Sequence, residues 1–218
     1  MNPPAWAIAI PLPRLHATIT AEPAPVPVAS EGRIPVGLRL SNSIWTDDGS
    51  HPPAATEARF EFDKSFQFDL SRVERCRGGV HFDIRTGVSP CEKYKFASGR
   101  IKVEVAYPEN PPMVVGGRAI AFKSGPREFT IHAFIPAPVT ADVVIPVAIG
   151  RAPAGIYGLR ATASIPKIAG GYASLTYLGL RFRKGLFSVA CPRGRLQTRV
   201  TNSFADGTKL SGALLLPC

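Results

Sequence analysis

The sequence predicts an antiparallel all-β fold, a β-sandwich of about 11–12 strands with little or no helix. Three observations carry that prediction. From Arg33 onward apolar and polar residues alternate with period two. Turn residues interrupt the alternation at short intervals, and the 218 residues include 20 glycines and 22 prolines, too many breakers for long helices. Nowhere does an apolar i, i+3, i+4, i+7 pattern persist through several helical turns.

Taken in order, residues 59–68 set Phe60, Phe62, Phe66 and Phe68 on one parity against Arg59, Glu61 and Asp63 on the other. Val80, Phe82 and Ile84 alternate with His81, Asp83 and Arg85, which predicts a second strand. Ile101, Val103 and Val105 oppose Arg100, Lys102 and Glu104, and Phe129, Ile131 and Ala133 oppose Glu128, Thr130 and His132. Tyr157, Leu159, Ala161, Ala163 and Ile165 share a face, as do Leu178, Leu180 and Phe182. Ser124-Gly125-Pro126 separates two strands, and Lys184-Gly185 separates another pair. Asp206-Gly207, between 195–204 and 208–215, is the strongest hairpin signal and predicts a type I′ turn.

Apolar residues are 45% of the chain and charged residues 19%, which excludes a disordered chain. No apolar run approaches the roughly 18 residues of a membrane-spanning helix. Residues 1–32 read as an extended Pro/Ala-rich segment, with 21–30 (AEPAPVPVAS) as a linker, and 33–218 as one β domain. A sub-boundary near 136–153 would instead give two smaller β domains. Residues 1–13 lack a basic n-region, and Pro11 and Pro13 break their apolar run, so they do not read as a secretory signal.

The four cysteines, Cys76, Cys91, Cys191 and Cys218, lack C-x-x-C spacing, which argues against zinc and leaves three disulfide connectivities. The expected pairs are Cys76–Cys91 and Cys191–Cys218, each bracketing local β structure. Four buried thiols in a reducing compartment are the alternative. Disulfides imply export. The opening segment then means that a signal has been removed, that the start lies elsewhere, or that export is wrong.

Net charge is +10, from 26 Lys and Arg against 16 Asp and Glu. Residues 151–218 carry ten of the basic side chains and one acidic one, Asp206. Strand parity would place Arg181, Arg183, Lys184, Arg193, Arg195 and Arg199 on one solvent face, beside Tyr177. Such a stripe could hold an anionic cell-wall polymer or glycan. The bland reading is a solvated surface that discourages edge-to-edge aggregation. Nucleic acid is not expected, because base readout wants aromatics exposed beside the basic groups.

No G-x-S-x-G, phosphate loop or dinucleotide fingerprint occurs, and neither a cofactor nor a metal is expected. His81, Asp83 and Arg85 would share one face of a strand, and His132 lies on the polar parity of another. Convergence of His81, Asp83 and His132 would make a hydrolase site. A salt-bridged strand face is the ordinary reading of the same residues.

The C-terminal third resembles a group of secreted actinobacterial proteins of unknown function. The matching stretches are Ile168-Ala169-Gly170-Gly171, Cys191-Pro192-Arg193-Gly194-Arg195-Leu196, Phe204 through Gly212, and Pro217-Cys218. Weaker similarity extends through Asp48-Gly49-Ser50, Cys76 and Cys91. The resemblance implies export, an all-β fold and paired cysteines, and it carries no activity. The expected function is therefore that of a secreted or cell-envelope binding or structural module, with a secreted hydrolase as the alternative.

Overall fold

The computed structural model describes residues 14–24, 32–77, 82–83, 86–138, 140–153 and 155–217. Its strands are β1 (Leu15–Ala24), β2 (Ile34–Thr46), β3 (Ala55–Asp63), β4 (Phe66–Phe68), β5 (Ala97–Val105) and β6 (Met113–Gly125). They continue as β7 (Glu128–Ile135), β8 (Ala141–Arg151), β9 (Tyr157–Ser164), β10 (Ala173–Val189), β11 (Arg195–Phe204) and β12 (Lys209–Pro217). Among the described residues the helical content is two 3-10 turns, Glu92–Tyr94 and Ala169–Gly171.

All the strands lie in one antiparallel sheet, ordered β1-β2-β10-β5-β6-β7-β8-β9-β3-β11-β12, with β4 beside β10. The far edge, β12, returns against β1, so the sheet is nearly closed into a barrel. One rolled sheet thus replaces the two facing sheets that the alternation suggested. Alternation reports that one face is buried, not whether a second sheet or the same sheet covers it. Twist accumulated over this many strands curls the sheet onto its own apolar face.

Inward positions form the core: Val36 and Leu38 on β2, Ile101 and Val103 on β5, Ile145 and Val147 on β8 are all buried. Outward positions include exposed Arg39, Arg100, Lys102, Arg181 and Arg195. That is the reverse of the apolar-outward pattern of barrel strands that face lipid. No helix among the described residues is long and apolar enough to cross a membrane.

Beside the seam between β1 and β12, Asn42 of β2 and Asn202 of β11 exchange side-chain amide hydrogen bonds of 3.0 and 3.3 Å inside the barrel. Above them Ile44, Ala55 and Phe204 pack with Leu15, Ile165 and Leu210 and close that end of the interior.

Leu15–Ala24 is a strand paired along β2. The 136–153 segment contains β8, which pairs on both sides within the same sheet. Several expectations are corrected. Phe82 and Asp83 are not in a strand. The Asp83 carboxylate accepts from the Thr86 amide and hydroxyl, at 2.8 and 3.0 Å, and its carbonyl accepts from Gly87, whose φ is +63°. That turn chemistry overrides a weak alternation. Lys184-Gly185 does not separate two strands. It lies in a bulge of β10 between Phe182 and Phe187, where β5 ends and β4 takes over the edge. At the Asp206-Gly207 hairpin only Gly207 has positive φ, and the Asp206 carboxylate caps Thr208 at 2.9 Å, so the turn is not type I′.

The described residues of the β4–β5 connection form a strap that packs on the outer surface of β6 and β7. Cys76–Cys91 staples it with a Cα separation of 5.7 Å, as expected from the sequence. Phe82 and Cys91 pack there on Ile120, Phe122 and Phe134. Cys191 is also disulfide-bonded, while Cys218 lies outside the described residues.

Candidate functional site

Rolling the sheet leaves the interior incompletely filled. Inward-facing Leu40, Phe60, Phe68, Ile149, Leu159 and Leu178 pack against the core yet remain only half-buried. They line a cavity with Ala161, Ala163 and Ile165 of the β9 side and Ile145 and Val147 of β8. The cavity is small, about 70 Å³. The space is therefore narrow. Its lining follows β9 from Leu159 to Ile165, about 20 Å at the strand rise. The wall is apolar almost throughout, and Ser41 and Asn42 are its polar members.

Phe68, Ile149 and Leu159 also line a second, wider hollow of about 530 Å³ at the end of the barrel opposite the apolar closure. Lys123, Arg127, Arg151 and Asp69 contribute its charged groups. Lys123, on the inward parity at the end of β6, donates to the Leu70 and Val73 carbonyls at 2.8 and 3.1 Å. The Asp69 carboxyl is held below its usual value by hydrogen bonds from Ser71 and by the charges of Arg72 and Lys123. Pro126 and Arg127 form the β6–β7 turn, and the Arg127 carbonyl accepts from Ile149 at 2.8 Å. Neither Arg127 nor Arg151 has an ion-pair partner among the described residues.

The six basic residues singled out from the sequence are exposed but do not form one stripe. Arg181, Arg183 and Lys184 are on β10, and Arg195 and Arg199 on β11; β2, β1 and β12 separate these strands across the seam. Register places Arg183, Lys184, Arg193 and Arg195 at the same end of the barrel as the hollow. Arg193 lies 3.8 Å from Asp63.

Arg199 is committed to the wall. Its guanidinium and that of Arg160 both grip the Glu61 carboxylate, which is 4% exposed, and Arg199 also covers the Tyr157 ring at 4.7 Å. Burial raises the Glu61 carboxyl, but hydrogen bonds and charge from Arg160 and Arg199 outweigh it and leave it below its ordinary value. Stability from this group is present above the unfolded value, near 4.5, and is lost as pH falls through the lower folded value. Because both guanidinium groups keep solvent contact, Glu61→Gln should cost about 1–2 kcal/mol at neutral pH. Urea unfolding should show that gap closing below the carboxylate range; a gap of constant width from neutral to acid pH contradicts the assignment.

The proposed His81, Asp83 and His132 site is not brought together among the described residues. His81 and Arg85 lie outside them. Asp83 serves its own turn. His132 is buried under the strap between Phe82 and Phe122, with Nδ1 3.3 Å from Asp142.

A different constellation has the distances of a catalytic triad: Ser174 Oγ lies 3.1 Å from His51 Nε2, and His51 Nδ1 lies 2.9 Å from Glu104 Oε1. Its setting is not that of a nucleophile. Ser174 sits on a regular strand opposite Glu104, is 1% exposed, and donates to the Pro52 carbonyl. These bonds latch the segment after β2 onto the outer wall. Sequence reading missed the trio because its members are 53 and 123 residues apart.

Comparison of the chain with protein-family models, with curated proteins and with solved structures gave no match.

Proposed function

We propose that this protein is an exported binding module that holds an apolar, chain-like ligand inside its barrel. The carrying observation is the apolar cavity, with the Ile44–Phe204 cluster toward one end of the barrel and, at the other, an open hollow that shares Phe68, Ile149 and Leu159 with it. An apolar cavity gives water too few polar partners and favours an apolar guest. Its small apolar volume suits a slender unbranched hydrocarbon chain better than a bulky ring system. Export is supported by Cys76–Cys91, since disulfides persist in oxidising compartments. A polymer-binding face is the weaker reading, because Arg199 is spent on Glu61 and the other cations are divided between separated strands.

Calorimetric titration with decan-1-ol tests the proposal. Saturable uptake of one molecule per chain, with a negative heat-capacity change from apolar burial, is expected. Absence of uptake both of the alcohol at its solubility limit and of its carboxylate and phosphate analogues overturns it.

A further inference from the structure

The geometry points to an anionic amphiphile as the ligand: a single hydrocarbon chain inside the barrel, with an oxyanion head group held at the basic end by Arg127 and Arg151. This deepens the interior-ligand reading and rests on it. Phe68, Ile149 and Leu159 belong to both the narrow cavity and the outer hollow, so the two spaces adjoin at these side chains, and a ligand that reaches from one to the other passes there. There the apolar wall gives way to Lys123, Arg127 and Arg151, with Asp69 as the one acidic member of that hollow among the described residues.

These cations are not equivalent. Lys123 already donates two hydrogen bonds to the carbonyls of Leu70 and Val73 and fixes the start of the strap. It contributes charge and at most one further donor. Arg127, at the tip of a proline turn, and Arg151, at the end of β8, have no ion-pair partner among the described residues. Each offers a planar fork of N–H donors suited to a carboxylate or a phosphate.

The two turns meet through the backbone, since the Ile149 amide bonds the Arg127 carbonyl at 2.8 Å. That contact places both arginines on one side of the opening. Ile44, Ala55 and Phe204 cluster toward the opposite end of the interior, and among the described residues no basic side chain lines the narrow cavity. A neutral chain could enter in either direction; a chain with an anionic head has one favourable orientation, tail first from the basic end. Arg183, Lys184, Arg193 and Arg195, at the same end, add a positive field that draws such a ligand from solution.

The test compares decan-1-ol, decanoate and decyl phosphate by calorimetry, on wild-type protein and on Arg127→Glu/Arg151→Glu and Arg127→Gln/Arg151→Gln. In wild type at low salt, at least one anion should bind tenfold or more tighter than the alcohol, and that ratio should shrink as salt screens the head group. The ratio should fall in the Gln pair and reach unity or invert in the Glu pair. Preference between decanoate and decyl phosphate identifies the head as carboxylate or phosphate, and either supports the inference. Equal affinity of alcohol and both anions in wild type overturns the inference and leaves the interior-ligand reading standing. An anion preference that survives in the Glu pair also overturns it. Failure of all three probes to bind wild type removes the interior-ligand reading, and this inference with it. Because the readout is a ratio within each protein, a loss of folded material cannot imitate the expected result.

Discussion

Ala161→Phe should abolish uptake of decan-1-ol, by a hundredfold or more in affinity, in a protein that stays folded. Ala161 points into the cavity from the middle of β9, and its neighbours across the sheet are Phe60 on β3 and Ile149 on β8, both also on the cavity wall. A ring at 161 occupies the bore between them. The accessible space is about 70 Å³ in total, room for roughly five to seven waters, so a chain and a phenyl group cannot share it. Stability has two opposing contributions, because the ring buries apolar area while a tight fit costs about 1–3 kcal/mol. Thermal unfolding should therefore move by only a few degrees. A folded Ala161→Phe protein that takes up decan-1-ol with wild-type affinity places the ligand elsewhere and ends the interior reading.

Phe96→Ala should be among the most destabilising single substitutions, costing about 3–5 kcal/mol. Phe96 is 1% exposed and immediately precedes β5. Its ring meets Phe129 edge-on at 5.3 Å and lies 6.2 and 6.3 Å from Phe182 and Phe68. Its backbone is held on both sides, by its amide to the Ala121 carbonyl and its carbonyl to the Arg183 amide. Collapse into the vacated space is therefore limited, and most of the cavity penalty is felt. For a chain of this size each kcal/mol shifts the midpoint by about 2–4 °C, so a drop of roughly 10 °C is expected in calorimetry. A loss below about 1 kcal/mol would show that the aromatic cluster around Phe96 repacks, against the limited collapse expected there.

How much was legible in the sequence depended on distance along the chain. Phe60 and Phe62 point inward as their parity indicated, and Cys76 bonds Cys91 fifteen residues away. Both are local signals. The sandwich failed because alternation cannot distinguish a sheet covered by a second sheet from one that covers itself. Asp83 was misread because its carboxylate serves the Thr86 turn. His132 sits on the outward parity as read, but the strap buries it, which no pattern around residue 132 records. The cavity belongs to no segment: it exists only where β8 and β9 face β2 and β10 across the barrel. Arg127 and Arg151 were passed over for a related reason. The charge tally favoured the last third of the chain, whereas these two matter by lying at strand ends that the fold brings to one opening.

The seam sets a temporal order. Among the described strands β1 stands first along the chain and β12 last, and the barrel closes by bringing them together. Until β12 emerges, β1 and β11 each present an unpaired edge, the state in which β proteins are most open to mispairing with other chains. The Asn42–Asn202 pair then joins residues 160 positions apart, a contact whose loop-closure entropy makes it slow to form. Since each amide would be left buried and unpaired without the other, this late contact also discriminates a correctly registered closure from one slipped by a residue.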